Sequence, residues 1–241
     1  MIEPTVTERE PPFAELAVQE YVWQLPVRIV HWAIVLSIVV LSFTGYYMHN
    51  PFIKASPSSA SFLMGQMRFA HMIAAFVFSI AVLVRIYWAF SGNRYAHWKA
   101  LIPHQRDQFQ NLAHALGYYL FIRRKPPEEG GHNQLAALAY MLLYLFFIFQ
   151  IITGFALFAW LTGLQPWTTM FSWAYRLLPV QELRLIHFLL MFVFFMFTIW
   201  HLYASILVDA TGRAGIVSSI FSGFKWLRRR HHDETEGRRA G

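Results

Sequence analysis

Four apolar stretches, each long enough to cross a lipid bilayer, constrain this chain more than any other feature. A membrane-spanning helix needs about 20 mostly apolar residues, because each residue adds 1.5 Å and the hydrocarbon core is about 30 Å thick. The stretches run approximately over residues 29–48, 69–90, 135–160 and 185–208, and none of them contains Asp or Glu. We therefore predict an all-α membrane protein built as a four-transmembrane-helix bundle.

The composition restricts the chemistry available to such a bundle. The 241 residues include no cysteine, which excludes disulfides, thiolate nucleophiles, cysteine-held zinc or iron–sulfur centres and covalently attached c-type haem. Only 14% of the residues are charged, so the formal net charge of +7 does not indicate a soluble nucleic-acid-binding protein. Any redox chemistry must use a cofactor that is bound without a covalent bond.

Basic residues predict the orientation of the spans. Arginine and lysine concentrate in the loop 92–133 and in the tail 210–241, whereas the other two connections carry few of them. By the positive-inside rule, the loop, the tail and both termini are cytoplasmic. The expected organisation is a cytoplasmic N-terminal segment over 1–27, which lacks signal-peptide features, a transmembrane domain over 28–209, and a basic amphipathic tail.

Two cytoplasmic segments show the periodicity of helices that lie in the membrane interface. Apolar residues recur every three or four positions in 109–120 and again in 216–227, and the second segment runs into Arg228, Arg229 and Arg230. Such helices followed by arginines bind anionic lipid headgroups, which are therefore expected partners.

Four histidines lie in or at the edges of the spans, where polar residues are costly and usually functional: His31, His71, His187 and His201. His187 and His201 are 14 residues apart on span four, so they share a helix face and lie about 21 Å apart along its axis. Because successive spans alternate in direction, His31 is expected at the cytoplasmic level with His201. By the same alternation, His71 is expected at the outer level with His187.

We call His71 and His187 the outer pair, and His31 and His201 the inner pair. Every other pairing joins histidines of different levels. Two neutral imidazoles that face each other inside a helix bundle suit the iron of a haem. The sequence therefore predicts two b-type haems, one for each pair. A dinuclear metal site would require carboxylates that the spans do not contain.

The 14-residue spacing recurs on two other spans. Gly45 follows His31 by 14 residues and is expected beside the outer haem, where the missing side chain gives a flat macrocycle room. Arg85 follows His71 by 14 residues and is expected near the inner haem, where it would pair with propionates or with a quinone oxygen. Ordinary helix packing at Gly45 and an Arg85 side chain that reaches the headgroups are the alternatives.

His49, in a turn-like sequence after span one, is the rival for the outer ligand role. A residue in a turn is held less rigidly than one on a helix. Gly154, beside Thr153 in span three, suits either a packing role or a role near the cofactor.

Local motifs extend the interpretation to a family. In order along the chain, these are LPVRIVHW (25–32), TGY (44–46), RFAH (68–71), RIYWAF (85–90), GNRY (92–95), GHN (131–133), ITGFAL (152–157), RLIH (184–187) and HLY (201–203). Together they resemble the b-type cytochrome subunit of membrane-bound uptake NiFe-hydrogenases, over about residues 21–205. One histidine per span is a weak signal, but the ordered set is specific.

The resemblance implies a subunit of the bacterial cytoplasmic (inner) membrane that anchors the hydrogenase small and large subunits at the outer face. It would pass electrons from the small subunit's iron–sulfur cluster to quinone, with hydrogen chemistry confined to the partner. The family's haem ligands fall on the outer and inner pairs. Docking is expected at the outer loops 49–67 and 161–183, which carry Trp167, Phe171 and Trp173.

A quinone site near the inner haem is expected to use Arg28, Asn133 and Tyr203 as hydrogen-bond donors. Two alternatives stay open at this point. The chain resembles, less specifically, the cytochrome b subunit of a formate dehydrogenase or of a related four-helix cytochrome. A membrane anchor or transporter whose histidines bind no iron is the alternative from another class.

Overall fold

The structure is a computed structural model that describes residues 17–52, 62–98, 113, 116–118, 120–123, 134–212 and 215–228. Four long helices contain the four apolar stretches and are long and apolar enough to cross a membrane, which confirms the predicted fold class. The elements in chain order are β1 (Ala17–Tyr21), α1 (Leu25–His49), α2 (Leu63–Ser91), α3 (Gln134–Thr162), α4 (Trp167–Leu177), α5 (Val180–Gly212), α6 (Ile216–Ser222) and β2 (Phe224–Arg228).

Proline and glycine define several helix ends. Pro26 stands in the first turn of α1, where a missing N–H leaves no hydrogen bond unmade. Helix α2 ends at Gly92, whose N–H donates to the Trp88 carbonyl at 2.8 Å. A Cβ at residue 92 would lie 2.6 Å from that carbonyl oxygen, so the backbone path requires glycine.

The long helices pack around an apolar centre. Its middle is formed by Phe78, Phe147 and Phe194, which we call the central apolar layer; the Phe147 ring lies 5.0 Å from the Phe78 ring and 5.2 Å from the Phe194 ring. Phe194 is seven residues from each histidine of α5, so this layer lies midway between the two histidine levels. Leu36, Ile80 and other large apolar side chains on the outside of the bundle are exposed, as lipid contact requires.

One end of the bundle carries a two-stranded antiparallel sheet, and we call it the sheet end. Strand β1 pairs with β2 from Ala17 opposite Arg228 to Tyr21 opposite Phe224. The prediction of a helix over 216–227 is therefore wrong beyond Ser222. Gly223 has a left-handed φ of +89° that ends α6, and the following residues pair with β1 instead.

The other predicted interfacial helix, over 109–120, lies mostly outside the described residues. Within it, residue 113 and residues 116–118 are described and helical, and residue 120 lies in a turn.

A polar cluster joins the chain before α1 to the end of α2. The Gln24 side-chain oxygen accepts hydrogen bonds from Trp88 Nε1 at 2.9 Å and from the Asn93 N–H at 3.0 Å. The Asn93 amide in turn donates to the Val22 carbonyl at 2.9 Å. The asparagine of the GNRY motif is therefore a structural residue that holds the start of α1 against the end of α2.

At the opposite end, the short helix α4 folds back onto the bundle. The Trp167 ring stacks on Phe155 at 4.9 Å and contacts Phe76 at 5.7 Å and Phe171 at 6.2 Å. Trp173 instead has 48% of its surface exposed. Of the three aromatic residues expected at a docking surface, two pack against neighbouring rings and only Trp173 presents a large free surface.

Candidate functional site

The structure brings the four span histidines together as two pairs. The ring centroids of His71 and His187 are 6.5 Å apart, and those of His31 and His201 are also 6.5 Å apart. Helices α1 and α2 each supply one histidine, and α5 supplies the other member of both pairs. These are the outer and inner pairs that helix geometry and the alternating direction of the spans predicted.

The spacing within each pair suits one metal ion between two imidazoles. A ligating nitrogen lies about 2 Å from its metal, so the ring centroids of two opposed ligands lie roughly 6 Å apart. The observed 6.5 Å fits this arrangement without a large movement of the helices. An open, largely apolar groove of about 710 Å³ runs between α1 and α5, and Ser42, Tyr46 and Met191 are among its lining residues. None of the four span histidines lines this groove.

Threonine hydroxyls contact both histidines of the outer pair. Thr44 Oγ1 lies 2.8 Å from His71 Nδ1, and Thr153 Oγ1 lies 2.9 Å from His187 Nδ1. Each hydroxyl also donates to a backbone carbonyl one turn earlier, at 2.7 Å for Thr44 and 3.0 Å for Thr153. Both threonines are buried, so these contacts are shielded from water.

Gln150 is a further polar contact of His187. Its amide nitrogen lies 3.2 Å from the His187 carbonyl oxygen, to which it donates, and 3.3 Å from His187 Nε2. A metal bound at Nε2 would replace the second contact and leave the first. The Gln150 side-chain oxygen is buried and has no hydrogen-bond partner among the described residues.

The inner pair has weaker polar support. The Tyr140 hydroxyl lies 3.2 Å from His201 Nδ1, and the Phe197 ring stacks on His201 with an interplanar angle of 8°. His31 Nδ1 is buried without a hydrogen-bond partner within the described part of the chain. The two levels therefore differ in the groups that hold their imidazoles.

The two glycines beside the outer pair differ in clearance. A Cβ at Gly45 would lie 3.4 Å from His71 Cε1, which is an ordinary contact, and would meet no other residue within 4 Å. A Cβ at Gly154 would lie 3.0 Å from His187 Cε1, which is too close without a shift of the ring. Gly45 thus borders free space, and Gly154 permits the close approach of a histidine.

Arg85 is buried inside the bundle, and its guanidinium extends towards the end of α2. Its side chain is 9% exposed, its guanidinium lies 5.9 Å from the centre of the Tyr144 ring, and Nη1 donates to the Ala96 carbonyl at a long 3.4 Å. The one ion pair among the described residues joins Arg94 to Glu20, so Arg85 has no carboxylate partner there. A buried guanidinium so weakly satisfied favours an anionic ligand.

The structure describes two of the three residues expected at a quinone site, Arg28 and Tyr203. Arg28 donates to the Phe221 carbonyl of α6, while its Nε atom is buried without a partner among the described residues. Tyr203 has 41% of its surface exposed. Asn133 lies outside the described residues.

His49 ends α1 with its ring stacked on Phe188 at 3.9 Å, while His71 and His187 face each other. Sequence reasoning did not assign roles to Thr44, Tyr140 or Gln150, and it gave Thr153 no contact. One signal was present: a Thr-Gly dipeptide occurs in span one and again in span three.

Four long apolar helices, three of which supply histidines paired at two levels, form the arrangement of a multi-span membrane cytochrome. The profile of the family described as prokaryotic cytochrome b561 matches residues 22–223. The chain belongs to this family. B-type haem and electron transport follow from that membership, as does a multi-pass location in the bacterial inner membrane.

Named relatives sharpen the family assignment. The chain is 38% identical over 210 residues to the "Probable Ni/Fe-hydrogenase B-type cytochrome subunit" of Cupriavidus necator, covering 85% of this chain and 86% of the relative. It is 36% identical to that of Azotobacter vinelandii over 86% of this chain and 89% of the relative. A third relative, the "Probable Ni/Fe-hydrogenase 1 B-type cytochrome subunit" of Escherichia coli K12, is 33% identical over 86% of this chain and 91% of the relative. The resemblance inferred from the local motifs is confirmed.

Proposed function

We propose that this chain is a di-haem b-type cytochrome that anchors a NiFe-hydrogenase to the membrane and transfers its electrons to quinone. The observation that carries the proposal is the pair of facing imidazoles at each of two levels, both 6.5 Å apart and joined by α5. The relatives' names favour a hydrogenase partner over a formate dehydrogenase.

His71 and His187 would hold one haem b, and His31 and His201 the other. Haem iron so ligated exchanges one electron at a time. The protein's part is to hold the four imidazoles neutral and oriented, and to keep water away from them. Burial within the bundle and the hydroxyl contacts at the outer pair serve both purposes.

Arg85 would provide the positive charge that the haem propionates or a quinone oxygen require. Its burial and its lack of a carboxylate partner among the described residues support this role. Burying a guanidinium without an anion is costly, so a propionate or an electron-rich oxygen beside it would stabilise both groups.

The proposed orientation places the sheet end in the cytoplasm, together with the loop 92–133 and the tail 210–241. The hydrogenase small subunit would then dock at the opposite end, near α4 and the exposed face of Trp173. The quinone would bind near the inner pair, with Arg28, Asn133 and Tyr203 as candidate donors, and the basic tail would contact anionic lipids.

The decisive experiment is optical. Membranes that contain the complex are given hydrogen with the quinone removed, and b-type haem bands are expected to reach the reduced state. An active hydrogenase whose partner haems stay oxidised would contradict the proposed electron path.

Alanine variants separate the two sites. His71→Ala and His187→Ala are each expected to remove one haem, and His31→Ala and His201→Ala the other, because each haem needs both of its ligands. Haem content and low-temperature spectra of the purified complex measure this. A variant of the outer pair that loses the same spectral component as a variant of the inner pair would refute the pairing.

A further inference from the structure

The two histidines of the outer pair are held by the same dipeptide on different helices. Thr44 and Gly45 of α1 lie beside His71: the threonine oxygen approaches Nδ1, and Cε1 faces the glycine, at which a Cβ would lie 3.4 Å away. Thr153 and Gly154 of α3 lie beside His187 in the same arrangement, with a closer 3.0 Å at the glycine. Two distant parts of the sequence thus build one arrangement twice.

The direction of these hydrogen bonds follows from counting protons. A threonine hydroxyl has one hydrogen, and at both positions a backbone carbonyl one turn earlier in the helix lies within hydrogen-bond distance to accept it. An oxygen whose hydrogen is used in this way can only accept, so we assign the Nδ1–H of each imidazole as the donor. This assignment selects the neutral tautomer that carries its proton on Nδ1 and leaves a bare lone pair on Nε2.

The inner pair lacks this arrangement. Its contact from Tyr140 to His201 Nδ1 is longer, at 3.2 Å, and a phenol can donate as well as accept. His31 Nδ1 has no hydrogen-bond acceptor among the described residues. The inner imidazoles are therefore less polarised by their neighbours than the outer ones.

We propose that the two Thr-Gly pairs position the outer imidazoles and make the outer haem site the lower in reduction potential. The proposal rests on the proposed function, since it concerns how this chain holds its two haems. An acceptor on Nδ1–H pushes electron density onto Nε2, which makes the imidazole a stronger donor to ferric iron and lowers the potential. Both outer ligands have a hydroxyl acceptor at Nδ1, whereas only one inner ligand has a hydroxyl neighbour.

This order of reduction potentials sets the direction of electron transfer through the chain. An electron that enters at the outer level would move towards the higher potential at the inner level, where quinone is proposed to bind. Thr44 and Thr153 would thus act through the histidines as positioning residues, without touching the iron themselves.

The test is a redox titration of the haem bands in the purified hydrogenase complex carrying Thr44→Val or Thr153→Val. Valine keeps the branched shape and removes the hydroxyl. Each variant is expected to raise the midpoint potential of one haem component and leave the other in place, and haem loss from that component is expected to be about 10–100-fold easier. Thr44→Ser and Thr153→Ser should restore both values.

Thr198→Val is the matched control. Thr198 Oγ1 donates to the carbonyl one turn earlier, at 2.8 Å, as the two threonines do, but has no contact with any of the four span histidines. A shift of equal size in this control, unchanged potentials in both valine variants, or a shift of the higher-potential component would overturn the proposal. Loss of both haems from a valine variant would also contradict a role confined to the outer pair. A wild-type complex without b-type bands would instead refute the proposed function itself.

Discussion

His187 is held at both its ring and its backbone. Thr153 contacts Nδ1, Gly154 allows the Cε1 edge to approach α3, and the Gln150 amide donates to the His187 carbonyl. None of these contacts uses Nε2, so its lone pair would keep one direction when a metal binds there. This rigidity is what a haem ligand needs, because a loosely held ligand gives a poorly defined site.

Substitution of the two glycines should have unequal effects. In Gly154→Ala the new methyl group would come within 3.0 Å of His187 Cε1, so the ring must move and the outer haem is expected to be depleted. In Gly45→Ala the methyl group would lie 3.4 Å from His71, and the ring can stay. Haem stoichiometry and absorbance spectra of the two variants measure the difference.

Greater haem loss from Gly45→Ala than from Gly154→Ala would be equally informative. If Gly45→Ala removed more haem than Gly154→Ala, the free space beside Gly45 would be needed by the macrocycle and not by the histidine.

Sequence reasoning reached the ligand candidates but missed most of their supporting residues. The histidines stand out because a titratable residue in an apolar span is unusual, and helix periodicity is enough to place them. Thr44 and Tyr140 are common residues in membrane helices, and only the packing of one helix on another reveals which histidine each contacts. The position of Arg85 within span two can be read from the sequence, but its contact with the Tyr144 ring of a different helix cannot.

Among the helices, α5 holds a special position because it contributes a histidine to each pair. Helices α1 and α2 pack closely side by side, whereas α1 and α5 contact each other little. A change in the tilt of α5 would therefore alter both histidine pairs together.

The aromatic contacts of α4 should stabilise the end of the bundle opposite the sheet. Trp167→Ala removes ring contacts with Phe155, Phe76 and Phe171 and is expected to lower the free energy of unfolding. Deleting a fully buried aromatic ring costs about 3–5 kcal/mol, and the cost should be smaller here because Trp167 is only partly buried. Thermal unfolding in detergent measures it.

Trp173→Ala is the comparison for that experiment, since Trp173 lies on the same helix and is 48% exposed. It should leave the unfolding temperature nearly unchanged and, under the proposed function, weaken binding of the hydrogenase subunits. Equal destabilisation by both variants would show that the ring cluster is not what holds α4.

Helices that form because of their own sequence were predictable, whereas strands that need a partner far along the chain were not. Each long helix is specified by its own apolar run, and all four were found. The sheet was not, because strands β1 and β2 lie about two hundred residues apart in sequence and each is only five residues long. The apolar spacing in 216–227 suits a helix as far as Gly223. There the left-handed backbone ends the helix, and the following residues pair with β1.

For the molecule as a whole, the absence of cysteine makes its orientation directly measurable. In Thr169→Cys, on α4, the thiol is expected to react with a membrane-impermeant maleimide added to spheroplasts. In Ser218→Cys, on α6, it is expected to react only after the membrane is broken. Both positions are exposed, so accessibility reports the side of the membrane. Labelling in the opposite order would invert the proposed orientation and exchange the outer and inner pairs.

The central apolar layer has a consequence for energy conservation. Phe78, Phe147 and Phe194 separate the two histidine levels, and the four apolar stretches contain no carboxylate that could relay protons past them. Under the proposed function, electrons would cross this layer while protons would not. Hydrogen oxidised outside would leave its protons there, and quinone reduced inside would take protons from the cytoplasm. Each turnover would then be electrogenic, and the phenylalanine layer would act as the insulator that lets the membrane store the charge.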